Sequence, residues 1–219
     1  RGLDIVVLES GGFEADTRTV ALSEGSIVGE PLQFLDNPLD LTNTRLRFFG
    51  GTTNHWGGFC RENDPIDYRG RPELGVPAWP VDYAEIKPYV DRAAAFLGLE
   101  AKGFDPAAAA AKVGVDPGEV LDTRSPTFLT KVFQISRRLR FQELYAEALA
   151  GQGNLDIVRN ANLTAIRLGS DGRRVDHLEV RALGKEPFRV RAGLTVLATH
   201  AVEAARLLLA SNDRIPEGI

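Results

Sequence analysis

Residues 3 to 9 read LDIVVLE, an apolar run closed by an acid, and residues 10 to 12 read SGG. Continuous rather than alternating apolarity predicts a strand buried on both faces, as in a parallel sheet. The serine and two glycines turn the chain. A strand ending in an acid before a glycine turn suits the second strand of a dinucleotide-binding unit. There the carboxylate, here Glu9, accepts hydrogen bonds from ribose hydroxyls. The glycine turn that cradles a pyrophosphate lies roughly 20 residues earlier in such a unit, ahead of Arg1 here. The competing reading is a strand capped by an exposed acid.

Residues 13 to 45 read as irregular. The next feature is RLRFFGGTTNHWGG, residues 45 to 58. Gly50 and Gly51 let the main chain approach a ligand, and consecutive N–H groups in such a turn can form an anion nest. Thr52 and Thr53 add hydroxyls. Asn54, His55 and Trp56 supply hydrogen bonds and a flat surface, and Gly57 follows. This composition suits a pyrophosphate followed by an aromatic ring system. The competing reading is a glycine-rich bulge around a buried His and Trp.

A helix is expected from Asp82, where Asp82 and Glu85 have capping-box spacing. Its apolar face is Ile86, Tyr89, Val90, Ala93 and Leu97, with Pro88 starting or kinking the second part. A short alanine-rich helix is expected within 106 to 120, and an amphipathic one over 138 to 150 that stops at Gly151 and Gly153. LDIVRN, NLTAIRLG, RVDHLEVRAL and PFRVRAG then read as short strands, with GSDG (169 to 172) a turn between two of them. LTVLATH (194 to 200) reads as another buried strand before the helix AVEAARLLLASN, whose N-terminus could face a phosphate. The expected fold class is mixed α/β.

Composition narrows the function. With 26 Lys+Arg against 30 Asp+Glu, the net charge is -4 and no basic block stands out, which argues against nucleic acid as a partner. The short cluster Arg137, Arg138 and Arg140 reads as a solvated helix start. The single cysteine, Cys60, excludes an internal disulfide, and no spacing suggests zinc or another metal. No apolar run approaches the ~18 residues of a membrane span. A soluble chain, cytoplasmic or periplasmic, is expected. The chain begins at Arg1 without any methionine, so an excerpt of a longer protein is expected too.

In this order, VVLESGG, GGTTNHWGG, AWPVDYAEIKPYVDRAAAFLGL, NLDIVRNANLTAIRL and TVLATHAVEAARLLLAS resemble the glucose–methanol–choline (GMC) family of FAD-dependent oxidoreductases. The resemblance runs along essentially the whole chain. It implies a partial FAD-binding, Rossmann-like domain over 1–63 and 151–219, with an antiparallel meander, and a helical insert of the substrate domain over 64–150. Glu9, beside Ser10, would hold the adenosine ribose. Gly50, Gly51, Thr52 and Thr53 would run along the pyrophosphate and flavin. Asn54, His55, Trp56 and Gly57 would lie against the isoalloxazine, and Leu163 would meet the adenine with its backbone. Thr199 and His200 replace the glycine turn common in the family, near the cofactor.

In the related pyranose oxidases a THW histidine is covalently bound to the flavin. NHW puts His55 at that position, with Asn54 as the departure; the alternative is an unbonded ring contact. The resemblance further implies oxidation of an alcohol CH–OH, in a sugar or polyol, by hydride transfer to flavin N5, with an electron acceptor that the residues do not name. The family's catalytic histidine would lie beyond Ile219, with His177 a surface residue of the meander. Two alternatives stand beside this: another two-dinucleotide flavoprotein, glutathione-reductase-like or amine-oxidising, and a fragment that binds no flavin.

Overall fold

The computed structural model describes residues 2–29, 33–34, 37–38, 40–100, 103–116, 119 and 128–219. The chain is mixed α/β and divides into two compact units, Arg1–His55 with Phe141–Ile219, and Trp56–Arg140. No helix among the described residues is long and apolar enough to cross a membrane.

In the first unit, β1 (Ile5–Leu8) pairs in parallel with β6 (Leu155–Val158), with Ile5 opposite Leu155 and Leu8 opposite Val158. The parallel pairing expected for this run is present. Burial on both faces is not, since Ile5, Val6 and Val7 are exposed. The physical reason is the width of the sheet: β1 and β6 form a two-stranded sheet, so β1 has a neighbour on one edge only among the described residues.

Residues 13 to 45, expected to be irregular, hold regular elements as well. A short helix, α1 (Thr17–Ala21), lies there, started by Asp16, whose side chain accepts the Arg18 N–H. The small antiparallel pair β2 (Gln33–Phe34) and β3 (Asn37–Pro38) follows.

The four short strands expected in the last third are β6, β7 (Asn162–Leu168), β8 (Val175–Arg181) and β9 (Phe188–Val190). The last three form an antiparallel meander in the order β7-β8-β9. The GSDG turn closes its first hairpin. Gly169 N–H donates to the Arg174 carbonyl at 2.8 Å, and the Asp171 carboxylate accepts the N–H groups of Arg173 and Arg174.

Residues Leu178 and Val180 of β8 alternate toward one core, while a register irregularity between Leu163 and Ala165 lets both Leu163 and Ile166 of β7 reach it. Ala161, Ile166, Leu178 and Val180 are buried together, with Leu8, Val158, Leu163, Val190, Leu197 and Leu208 packed against them. Helix α5 (Ala201–Ala210) packs against this core through Leu208 and buries Leu207 beside it in sequence. Ser211, fully buried, accepts the Ile166 N–H at 2.9 Å and donates to the Leu207 carbonyl. This one hydroxyl ties the end of α5 to the edge of β7.

The expected strand over 194 to 200 does not form. Thr195, Leu197 and Thr199 are half-buried, while Leu194 and Val196 lie at 80% and 79% exposure. One face of the segment meets the core through Leu197. No neighbouring strand among the described residues supplies ladder partners, so apolarity alone does not make it a strand.

The second unit holds β4 (Phe59–Cys60) paired with β5 (Gln134–Ile135), and helices α2 (Tyr83–Phe96) and α3 (Pro106–Lys112). The Asp82–Glu85 capping box is present, with Glu85 N–H on Asp82 at 2.9 Å and Asp82 N–H on Glu85 at 3.2 Å. Helix α2 runs through Pro88 without a break in its span. Its covered stripe is Ile86, Val90, Ala94 and Leu97; Tyr89 and Ala93, expected on that face, are exposed. The cause is the anchoring of the first turns, where Tyr83 and Lys87 both bond Glu62 and so set the helix's rotation. Part of 106 to 120 lies outside the described residues.

In the first unit, helix α4 (Phe141–Ala150) starts three residues later than expected. In the second, Arg138 donates its guanidinium to the Phe96 carbonyl instead of starting a helix.

Helix α5 supplies a paired prediction. Leu207→Ala removes a side chain with 2% exposure and is expected to destabilise the fold by about 2–5 kcal/mol. Leu209→Ala, at 63% exposure, is expected to change stability by less than about 0.5 kcal/mol. Urea unfolding midpoints of the two variants check this.

Candidate functional site: the turn beyond β1

The pairing of β1 with β6 continues past both strand ends. Glu9 N–H donates to Val158, Ala161 N–H to the Glu9 carbonyl, and Asn160 N–H to the Gly11 carbonyl, all at 2.8 to 2.9 Å. Asn160 takes a left-handed conformation at φ 55° to make this wrap, one that asparagine tolerates better than most residues. The 158–161 segment therefore lies along the Glu9–Gly11 turn.

A second segment crosses the same turn. A Cβ added to Gly11 would stand 1.9 Å from the Arg47 carbonyl oxygen, so this contact exists only because position 11 has no side chain. Phe49 N–H donates to the Gly12 carbonyl at 2.8 Å, and Thr19 Oγ1 reaches the Arg47 carbonyl at 3.4 Å.

The glycine segment itself is a tight 3-10 turn over Gly51–Asn54, entered from Gly50 at φ 90°. Asn54 Nδ2 donates to the Phe49 carbonyl at 2.9 Å and fills the space that a Cβ on Gly50 would need. Gly51, Thr53 and His55 donate their N–H groups to Phe48, Gly50 and Thr52. These amides are spent inside the turn, so they do not form the anion nest expected from the glycines. The Thr53 hydroxyl is also turned inward, donating to the Gly50 carbonyl. Thr52 and His55 are the exposed side chains of the stretch 51–55.

Beyond His55 the chain enters the second unit. Trp56 is half-buried there, its Nε1 donating to the Leu139 carbonyl at 2.9 Å. Gly57 is exposed. Gly58 is buried because its backbone pairs closely with Ser136; a Cβ would fall 2.4 Å from the Ser136 carbonyl oxygen. Tyr68, Trp79, Pro80 and Tyr83 line an open hollow of about 730 Å³ in this unit.

The first unit thus brings Glu9, Ser10 and the 45–54 segment together, with Asn160 and Ala161 beside them. Leu163 is nearby in the chain, opposite Val180 in the hairpin, with its side chain in the core. His200 caps α5, its Nδ1 accepting the Val202 N–H at 3.4 Å from an unusual backbone of φ 72° and ψ 148°. Two polar atoms beside these residues, Asn162 Oδ1 and Thr199 Oγ1, are buried without a hydrogen-bond partner. His177, expected at the surface, is mostly covered and bonds Asp176 through Nδ1 at 2.6 Å. The reason is its strand position: in β8 it stands opposite Arg167, with Glu179 two residues on along the same face.

Three functional candidates escape a motif-based reading: Arg45, Arg47 and Glu203. Glu203, in the first turn of α5, is buried; it accepts hydrogen bonds from Arg45 (Nε at 3.1 Å and Nη2 at 2.5 Å) and Arg206 (Nε at 2.9 Å) and forms an ion pair with Arg47 (Nη2 at 2.8 Å). The only sequence signal was an acid inside an otherwise apolar helix, three residues before an arginine.

The two carboxylates at the site differ in charge environment. Burial pushes Glu9 above the ordinary glutamate value, opposed by the Gly11 and Ser10 N–H groups and the Arg47 charge. Burial would also raise Glu203, but hydrogen bonds from Arg45 and Arg206 and the charge of Arg47 outweigh it and hold Glu203 low.

No family model matches the chain. The chain is similar to a 2-methyl-1,2-propanediol dehydrogenase of Mycolicibacterium austroafricanum, 35% identical over 60 residues. That stretch is 26% of this chain and 11% of the relative's length.

Two predictions test this geometry. Gly11→Ala forces the Arg47 carbonyl away and is expected to cost about 1–3 kcal/mol. Gly12→Ala, whose Cβ meets nothing closer than 4.0 Å, is expected to stay within about 0.5 kcal/mol in denaturant melts. Because Glu203 is held low in the folded state, its contribution is present above the unfolded glutamate value and lost as pH falls through the folded one. The stability gap between wild type and Glu203→Gln should therefore shrink on acidification, measured by urea unfolding across a pH series.

Proposed function

We propose that this chain carries part of the FAD site of an oxidoreductase of the glucose–methanol–choline type, acting on the CH–OH group of an alcohol. The observation that carries this is the convergence at the end of β1. A carboxylate beside a glycine turn is crossed by the segment that leads into Gly50–Asn54, with an unpartnered polar atom on Asn162, the residue after Ala161. The donor set fits the group. Glu9 is an acceptor for a ribose diol, while Ser10, Thr52 and the buried Thr199 hydroxyl can bond to either kind of partner. The similarity over 60 residues to a dehydrogenase of a small diol supports the reaction class. A sugar, polyol or small diol is the proposed substrate, with a separate electron acceptor.

The reaction takes the alcohol to its carbonyl. The hydroxyl proton leaves to a base, and the C–H electron pair leaves with its hydrogen as hydride. FAD, when bound, supplies the hydride acceptor at N5. This chain's residues bind and orient. Glu9 fixes the adenosine end through the ribose. Thr52 and His55, the exposed side chains of the glycine turn, face the remainder, and Thr199 and His200 lie at the start of α5, whose N-terminal amides favour negative charge.

Absorption spectroscopy of the full-length protein after reconstitution with FAD tests the proposal. Flavin bands that weaken in Glu9→Ala are expected; a colourless wild type contradicts it. Acid precipitation then decides the state of His55. Colour remaining in the pellet and lost in His55→Ala indicates a covalent bond, and colour in the supernatant indicates contact alone.

A further inference from the structure

Glu203 pairs with Arg45 and Arg47, and the segment that carries these arginines adjoins both the Glu9–Gly12 turn and the Gly50–Asn54 turn. Arg45 and Arg47 flank Leu46 and send their guanidinium groups to the same carboxylate oxygen, Oε1. Arg45 and Glu203 are almost fully buried, at 7% and 6% side-chain exposure. Arg45 also donates to the Leu41 carbonyl and Thr44 Oγ1, and Arg47 to Ser23 Oγ at 2.8 Å and Ser10 Oγ at 3.4 Å. Each guanidinium is therefore fixed at several points, with Glu203 as their shared counter-charge.

The backbone between and beyond these arginines serves the two turns of the site. Toward β1, the Arg47 carbonyl rests on Gly11 and the Phe49 N–H bonds Gly12. Toward the glycine turn, Leu46 N–H reaches Thr52 Oγ1 at 3.4 Å and Gly51 N–H bonds the Phe48 carbonyl at 2.7 Å. Displacing residues 45–47 would move both turns together.

We propose that Glu203 is a positioning residue for the dinucleotide site, setting the relative placement of the Glu9–Gly12 turn and the Gly50–Asn54 turn by clamping Arg45 and Arg47. This rests on the FAD site proposed above. A buried ion cluster is weak evidence for stability as such, because desolvation offsets much of the attraction. Its geometric effect is direct: without the carboxylate, two guanidinium groups stay buried without a shared partner, and the segment carrying them shifts to reach water.

The test uses the full-length protein, with Glu203→Gln compared against Leu178→Ala, a core change on β8 that destabilises without touching the clamp. Two quantities are read: amide hydrogen exchange over residues 46–55 in the absence of FAD, and FAD affinity by fluorescence titration. Glu203→Gln is expected to speed exchange at Gly51, Thr53 and His55 beyond what its global stability explains, and to weaken FAD binding by about ten-fold or more. Leu178→Ala is expected to do neither. Exchange and affinity in Glu203→Gln that match those of Leu178→Ala overturn the positioning role while leaving the FAD site standing. Wild-type protein that binds no FAD overturns the site and its positioning residue together, before any variant is compared.

Discussion

The contact between Gly11 and the Arg47 carbonyl is the constraint on which the first unit's functional geometry depends. Two backbones meet where no Cβ fits. That contact lets one strand end, one loop and one helix start share a small volume. The 158–161 segment wraps the turn from one side, and residues 45–49 cross it from the other. An alanine at position 11 would separate these elements whatever the rest of the chain did.

Close approach of backbones leaves the side chains of the crossing segment to go elsewhere. Arg45 and Arg47 turn into the interior, and a buried pair of guanidinium groups requires a counter-charge. Glu203 supplies it from α5. The same helix is fixed at its other end by Ser211, which takes the Ile166 N–H of the meander. One helix therefore links the core of the β7-β8-β9 sheet to the loop that carries the glycine turn. Packing and electrostatics act in series here: the meander positions α5, α5 positions the arginines, and the arginines position the turns.

Much of this was legible in the residues. The β6–β9 strands, the GSDG hairpin, the Asp82 capping box and α5 all follow local rules of alternation, turn chemistry and capping. Pairing of β1 in a parallel sheet also followed from its apolar run. What failed was burial. Apolarity marked Val6, Val7, Leu194 and Val196 as interior, but interior position requires neighbours, and sequence pattern does not count them. The chemistry of the glycine stretch was only half legible. Its glycines do serve tight backbone geometry, yet the freed N–H groups close a 3-10 turn instead of facing outward. Asn54 is consumed in holding that turn and Trp56 in bonding Leu139. Least legible was the Arg45–Arg47–Glu203 cluster, because 158 residues separate Arg45 from Glu203 and neither carries a motif. Charged residues in a sequence default to surface positions, and only the tertiary fold shows these to be internal.

In the proposed FAD site, the end of β1, with the segment crossing it, would receive the adenosine half of the dinucleotide. A crystal structure of the full-length protein with FAD tests this most directly. The ribose hydroxyls are expected within hydrogen-bond distance of the Glu9 carboxylate, with the Gly50–Asn54 turn beside the same ligand. FAD bound elsewhere, with Glu9 contacting only the Gly11 N–H, would contradict it.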